Sequence, residues 1–156
     1  MSICRAKRYQ QKRKRKSTNE NGGRSKFKRG FYHPINEDKY KLPQNDYMNK
    51  GPIPEYRSGW ELKIYKWCDQ NPKVEYWTTE PFAIKYIKPT DGQPHRYFPD
   101  LLIKFVDGTK WLIEIKPESQ WKDPINLAKW EMAEKFCIEH DLIWRVMGAK
   151  ELGIKA

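Results

Sequence analysis

Apolar positions are thinly scattered up to about residue 55 and then recur with readable periods. Ser58 is followed three residues on by Glu61, and Trp60, Ile64, Trp67 and Cys68 recur at helical spacing. That pattern predicts a helix from about 59 to 70, stopping before Asn71-Pro72. Val74 to Trp77 and Phe82 to Ile87 are predicted as short strands, and Pro89 to Pro94 as a turn. The stretch from about 96 to 105, then Asp107-Gly108, then 110 to 116, is predicted to form a hairpin. Pro124 precedes a second amphipathic pattern, with Ile125, Ala128, Met132, Ala133, Phe136 and Cys137 on its apolar side, which predicts a helix over about 125–140. Leu142 to Met147 is a last strand. The order helix, three or four strands, helix, strand suits an α/β sheet with helices packed on its faces.

Ahead of this block, residues 31–55 read as an extended linker carrying Pro34, Pro43, Pro52 and Pro54. Its tyrosines (Tyr32, Tyr40 and Tyr47) show no period, and packing on the domain or stacking on bases are both open to them. Residues 56–156 are assigned to one domain. Residues 1–30 hold twelve Lys or Arg, with Lys12, Arg13, Lys14, Arg15 and Lys16 in one unbroken run, against the single acid Glu20. The whole net charge of +11 therefore sits on this arm, since the remaining residues balance nineteen basic side chains against nineteen acidic ones. Too few apolar residues offset its ordering entropy, so the arm is expected to be disordered when free and to neutralise a polyphosphate partner. A solubilising or nuclear-import-like tail, or an arm for an acidic protein surface, are the competing readings.

No apolar run is long enough to span a bilayer, and no apolar segment follows the basic start as in a secretory signal. Three widely spaced cysteines (Cys4, Cys68 and Cys137) argue for a reducing compartment, against a disulfide framework and against a zinc cluster. His33, His95 and His140 are scattered, so nucleophilic catalysis through a Ser/His or Cys/His constellation has no support.

Chemistry concentrates in the predicted hairpin. Pro99-Asp100 opens the apolar run Leu101–Phe105, and Glu114-Ile115-Lys116 closes the run beginning at Trp111. Strand alternation puts Leu112, Glu114 and Lys116 on one face, and Asp100, Leu102 and Lys104 on one face of the preceding strand. Metal-assisted phosphodiester hydrolysis needs carboxylates to hold Mg²⁺ by oxygen, a group to orient water, and a cation near the phosphate. Whether Asp100 meets Glu114 depends on the turn. A two-residue Asp107-Gly108 loop sets Leu101 opposite Glu114 and sends the acids to opposite faces. A three-residue loop with Gly108 left-handed pairs Phe105 with Thr109, and so Asp100 with Glu114.

Glu61 is the candidate third acid, because it falls at the edge of the predicted apolar arc of the first helix. Ser58-Gly59-Trp60-Glu61 also fits a capping box, in which Glu61 reaches back to the helix start, and the spacing leaves both readings open. Pro-Asp is common in turns, and Glu-x-Lys is common as a solvent-face ion pair. The apolar runs around both motifs suggest instead a sheet buried on both faces, where charges are costly unless paired or metal-bound. Lys129 and Gln120 are candidates to contact DNA or the scissile phosphate, with ordinary surface positions as the alternative. Trp121 and Trp130 are expected in the core or an interface.

Glu61 on a first helix, Pro99-Asp100 and Glu114-x-Lys116, in helix–strands–helix–strand order, resemble the PD-(D/E)XK nuclease superfamily, which has a restriction-endonuclease-like core. Tyr56-Arg57-Ser58-Gly59-Trp60-Glu61, with Asn71-Pro72 and Trp77 following, is similar to two groups within it. One is the head-completion nucleases of tailed bacteriophages, and the other is the end-cutting endonuclease subunit of certain cut-and-paste transposons. Small size and a basic arm suit the phage group better. The resemblance covers roughly Tyr56 to Met147. It implies Mg²⁺ ligation by Asp100 and Glu114, with the Ile115 carbonyl added and Glu61 completing the site, and Mn²⁺ able to substitute. Lys116 would position the attacking water or stabilise the phosphorane. The implied protein is a Mg²⁺-dependent DNA endonuclease acting on packaged DNA ends in the virion or host cytoplasm, with phage head or portal proteins as further partners. Its rivals are a non-enzymatic DNA-holding or portal-plugging assembly protein and an RNA-binding protein with a basic tail.

Overall fold

Each helix begins where its sequence supplies a cap. In α1 (Gly59–Gln70) the Ser58 hydroxyl accepts the Glu61 N–H at 3.1 Å, satisfying one of the amides left without an intrahelical partner. In α2 (Pro124–Glu139) the Asp123 carboxylate accepts from the N–H groups of Ile125 and Asn126, and Pro124 occupies the first turn, where no N–H is needed. The computed structural model describes residues 29–42 and 53–153. Its strands are β1 (Gly30–Phe31), β2 (Glu55–Tyr56), β3 (Val74–Thr79), β4 (Ile84–Ile87), β5 (Pro94–Tyr97), β6 (Leu101–Phe105), β7 (Lys110–Ile115) and β8 (Ile143–Met147).

The central sheet runs β3-β6-β7-β8, with the first two pairings antiparallel and β7 parallel to β8. A parallel neighbour requires a crossover, and α2 provides it. The sheet is buried on both faces. Ile103, Ile113 and Ile115 pack toward α1 with Ile64, Tyr65 and Cys68, while Leu112 packs toward α2 with Trp130, Ala133 and Cys137. This is the expected mixed α/β architecture.

Four details depart from the sequence reading. The stretch 96–105 is not one strand: β5 ends at Tyr97 and pairs with β4 in a separate ribbon, and β6 begins only at Leu101. Pro99, which has no N–H to give a ladder, lies in the break. The first predicted strand extends on to Thr79, and the second begins at Ile84 rather than Phe82.

Third, the buried face of α1 is rotated from the predicted arc. Asp69 is fully buried, whereas Trp67 is 44% exposed. Asp69 is tolerated inside because its carboxylate accepts from the Tyr32 hydroxyl and from the N–H groups of Ile35 and Asn36. Fourth, the described part of the linker belongs to the folded unit. β1 pairs with β2, and Tyr32 and Tyr40 pack with Tyr65 around the buried Trp77, at 6.4, 4.8 and 5.3 Å between ring centroids. Both described tyrosines thus pack on the domain; Tyr47 lies outside the described residues.

Candidate functional site

The β6–β7 turn decides what the two strands bring together. Phe105 N–H donates to the Thr109 carbonyl at 2.8 Å, and Gly108 N–H donates to the Phe105 carbonyl at 3.0 Å. Gly108 has φ +92°, the left-handed region that glycine enters without a Cβ penalty. The loop is therefore the three-residue one, and the ladder runs Lys104↔Lys110 through Leu101↔Ile113. One step beyond Leu101↔Ile113, Asp100 lies opposite Glu114, with Asp100 N–H donating to the Ile113 carbonyl at 3.0 Å.

Each carboxylate is fastened through one oxygen. Asp100 Oδ2 accepts the Ile115 N–H at 2.7 Å, and Glu114 Oε2 accepts the Tyr97 hydroxyl at 2.7 Å. Glu114 Oε1 faces Lys116 Nζ at 3.4 Å. Lys116 keeps partial access to solvent, while Glu114 is buried. On the same strand face, Lys104 is taken up by an ordinary ion pair with Glu75 at 2.8 Å.

The electrostatics are those of two acids confined together. Burial, followed by the facing Glu114 charge, pushes the Asp100 carboxyl well above the ordinary carboxylate range; Glu61 adds to this, while the Ile115 N–H and Lys116 oppose it. Burial also pushes Glu114 up, against the Tyr97 hydrogen bond and the charges of Lys116 and Lys129. Two facing carboxylates that resist ionising together are the donor set a hard divalent cation stabilises, and oxygen-only donors suit Mg²⁺.

Glu61 is placed less decisively. Its carboxylate reaches back to the Arg57 N–H while its own N–H is capped by Ser58, so the helix-capping role is formed. It also lines one narrow cleft with Asp100, Arg57, Tyr65, Thr79 and Glu80. Among the described residues no group of three or more acidic, His or Cys side chains closes into a metal cage. Asp100, Glu114 and Lys116 are thus brought together, and Glu61 shares a cleft with Asp100.

Lys129, on α2, sits 5.6 Å from the Tyr97 ring centroid and 5.8 Å from that of Tyr86, on the Glu114 side of the sheet. Gln120 is exposed, Trp121 Nε1 donates to the Lys116 carbonyl at 2.8 Å, and Trp130, on α2 itself, is buried in the cluster with Leu112. Lys12, Arg13, Lys14, Arg15 and Lys16 lie outside the described residues.

Tyr97 and Glu80 carried no sequence signal, and Arg57 appeared only within the motif that carries the resemblance. Tyr97 precedes the Pro99 break and nothing in its spacing points to Glu114. Arg57 and Glu80 form an ion pair at 3.5 Å across the cleft, and Glu80 N–H donates to the Asp100 carbonyl at 2.9 Å. Glu80 does this with φ +43°, an uncommon backbone state for a side-chain-bearing residue.

The model of the family described as TnsA-like endonuclease N terminal matches residues 71–148. That span holds Tyr97, Asp100, Glu114, Lys116 and Lys129 and leaves Glu61 outside. The head completion nuclease of Enterobacteria phage T4 is 28% identical over 125 residues, which cover 64% of this chain and 83% of the relative. Both groups named from the residues are therefore found, and the mixed sheet is the restriction-endonuclease-like core. The family model matches half of the chain, across β3 to β8, and the chain belongs to the TnsA-like endonuclease N-terminal family.

Proposed function

We propose that this chain is a Mg²⁺-dependent DNA endonuclease that trims or nicks the ends of packaged DNA during phage head completion. The observation that carries this reading is the Asp100–Glu114 pair with Lys116 beside it, on one face of two neighbouring strands. Asp100 and Glu114 would hold the cation, with the Ile115 carbonyl as a further oxygen and Glu61 completing the shell from the α1 side; Mn²⁺ would substitute. The cation, when bound, supplies Lewis acidity and charge neutralisation at the scissile phosphate. Lys116 orients the water that attacks and offsets charge building on the phosphate. Lys129 offers a second cation to the DNA backbone from α2.

The root of the basic arm supports the same reading. β1 pairs with β2 so that Arg29, in register, falls opposite Arg57, which lines the cleft with Asp100. A duplex bound by the arm would then reach the chain on the side of the cleft that Arg57 lines. Action in head completion is supported by the T4 relative's name; phage head or portal proteins as partners, in the virion or host cytoplasm, belong to the same proposal.

Nicking of supercoiled plasmid by the full chain tests the reading. Mg²⁺ should support nicking and EDTA should stop it. Asp100→Ala and Lys116→Ala should each lower the rate by about a hundredfold or more. Equal, EDTA-insensitive activity in both variants would refute the site. DNA binding with no nicking under any metal would leave a non-enzymatic assembly role.

A further inference from the structure

Glu114 owes its orientation to a residue outside the acid–lysine constellation. Tyr97, 5% exposed, donates its hydroxyl to Glu114 Oε2 at 2.7 Å. The residue is held by its backbone on one side and by its ring on two. Tyr97 pairs with Ile84 in the β4–β5 ribbon, meets Trp144 edge-on at 6.5 Å and 85°, and carries the Lys129 ammonium 5.6 Å from its centroid.

A glutamate has several side-chain torsions to fix before it can ligate, and each costs entropy when a ligand has to impose it. Here the hydroxyl fixes the carboxylate plane in advance through Oε2 and turns Oε1 toward Lys116. The Ile115 N–H does the same for Asp100 through Oδ2. Both acids are thus pre-set by one bond each, Asp100 by backbone and Glu114 by a side chain.

We propose that Tyr97 is a positioning residue of the cation site, its hydroxyl holding Glu114 in the ligating orientation and joining it, through the Lys129 contact, to helix α2. This rests on the cation-site reading above. Were the hydroxyl only a partner for a buried carboxylate, its loss would change stability and leave cation affinity unaltered; as a positioning group it sets that affinity, as outer-sphere partners of metal ligands do.

The test titrates the full chain with Mn²⁺ alone, following free Mn²⁺ by electron paramagnetic resonance, for wild type, Tyr97→Phe and Glu114→Gln. Circular dichroism melts confirm that each is folded. Tyr97→Phe should weaken Mn²⁺ binding about tenfold or more, and Glu114→Gln should remove the same site. Wild-type affinity in Tyr97→Phe, with loss in Glu114→Gln, would overturn the positioning role and leave the site standing. Absent Mn²⁺ binding in wild type, or undiminished binding in Glu114→Gln, would overturn the site and the role of Tyr97 with it. A single ¹³Cζ-labelled tyrosine at position 97 reads the contact without any substitution. Its resonance should move as Mg²⁺ fills the site, and an unmoved resonance at saturating Mg²⁺ would overturn the proposal.

Discussion

Replacing Asp100 with Asn should stabilise the chain when no divalent cation is present. The substitution removes one of two facing negative charges and retains a side-chain oxygen to accept the Ile115 N–H. Burial first, then Glu114, hold the Asp100 carboxyl well above its ordinary range. Ionising Asp100 in the fold is therefore costly, and removing that charge should gain about 1–2 kcal/mol at pH 8, the usual scale of a single-site effect. For a domain of this size that is a rise of about 3–8 °C in Tm. The sign follows from proton counts: a carboxyl raised in the folded state binds more protons folded than unfolded, so stability falls as pH rises from about 4 through the folded value. The advantage of the Asn variant should therefore be largest at pH 8 and close toward pH 4. Mg²⁺ should raise the wild-type Tm and leave Asp100→Asn nearly unmoved. Calorimetric melts in EDTA and in Mg²⁺ measure both effects. An Asn variant that melts below wild type in EDTA at pH 8, or that gains as much from Mg²⁺, would refute the reasoning.

Three further outcomes are expected. Gly108→Ala meets open space around its new Cβ, so its cost is the left-handed backbone alone, about 1–2 kcal/mol; an unchanged urea midpoint would contradict this. Tyr32→Phe withdraws a buried donor from Asp69 and should cost about 1–3 kcal/mol by denaturant melt. Burial pushes the Asp69 carboxyl up, but the bonds from Tyr32, Ile35 and Asn36 outweigh it and hold it down. Stability from Asp69 is thus present above the unfolded value of about 4 and lost as pH falls through the lower folded value, so acid unfolding of Tyr32→Phe should begin at higher pH than in wild type. Deleting residues 1–28 should weaken DNA binding while cleavage persists at low salt. If about six arm charges reach phosphates, the full chain should lose roughly a thousandfold in affinity over a several-fold rise in salt, and the truncated chain far less; equal salt slopes would contradict the arm's role.

What was legible in the sequence was what depends on neighbours along the chain. Ser58 and Pro124 mark helix starts by local chemistry, whereas the β6–β7 register hung on a turn that the sequence left open between two and three residues and that Gly108 at positive φ decides. What was hidden depends on contacts between distant segments. Asp69 looks like a surface acid until Tyr32, Ile35 and Asn36 arrive from more than thirty residues away. The same contacts turn a proline-containing stretch that reads as linker into part of the core. Tyr97 becomes a partner of Glu114 only because Pro99 breaks the strand and frees β5 to pair with β4. Glu61 stays double in character, since one side chain caps its helix and lines the same cleft as Asp100.

A crystal structure of the full chain grown with Mn²⁺ tests the central claim most directly. An anomalous peak bonded to one oxygen each of Asp100 and Glu114, with Tyr97 still donating to Glu114 Oε2, is expected. A peak elsewhere, or none between these carboxylates at saturating Mn²⁺, would contradict it.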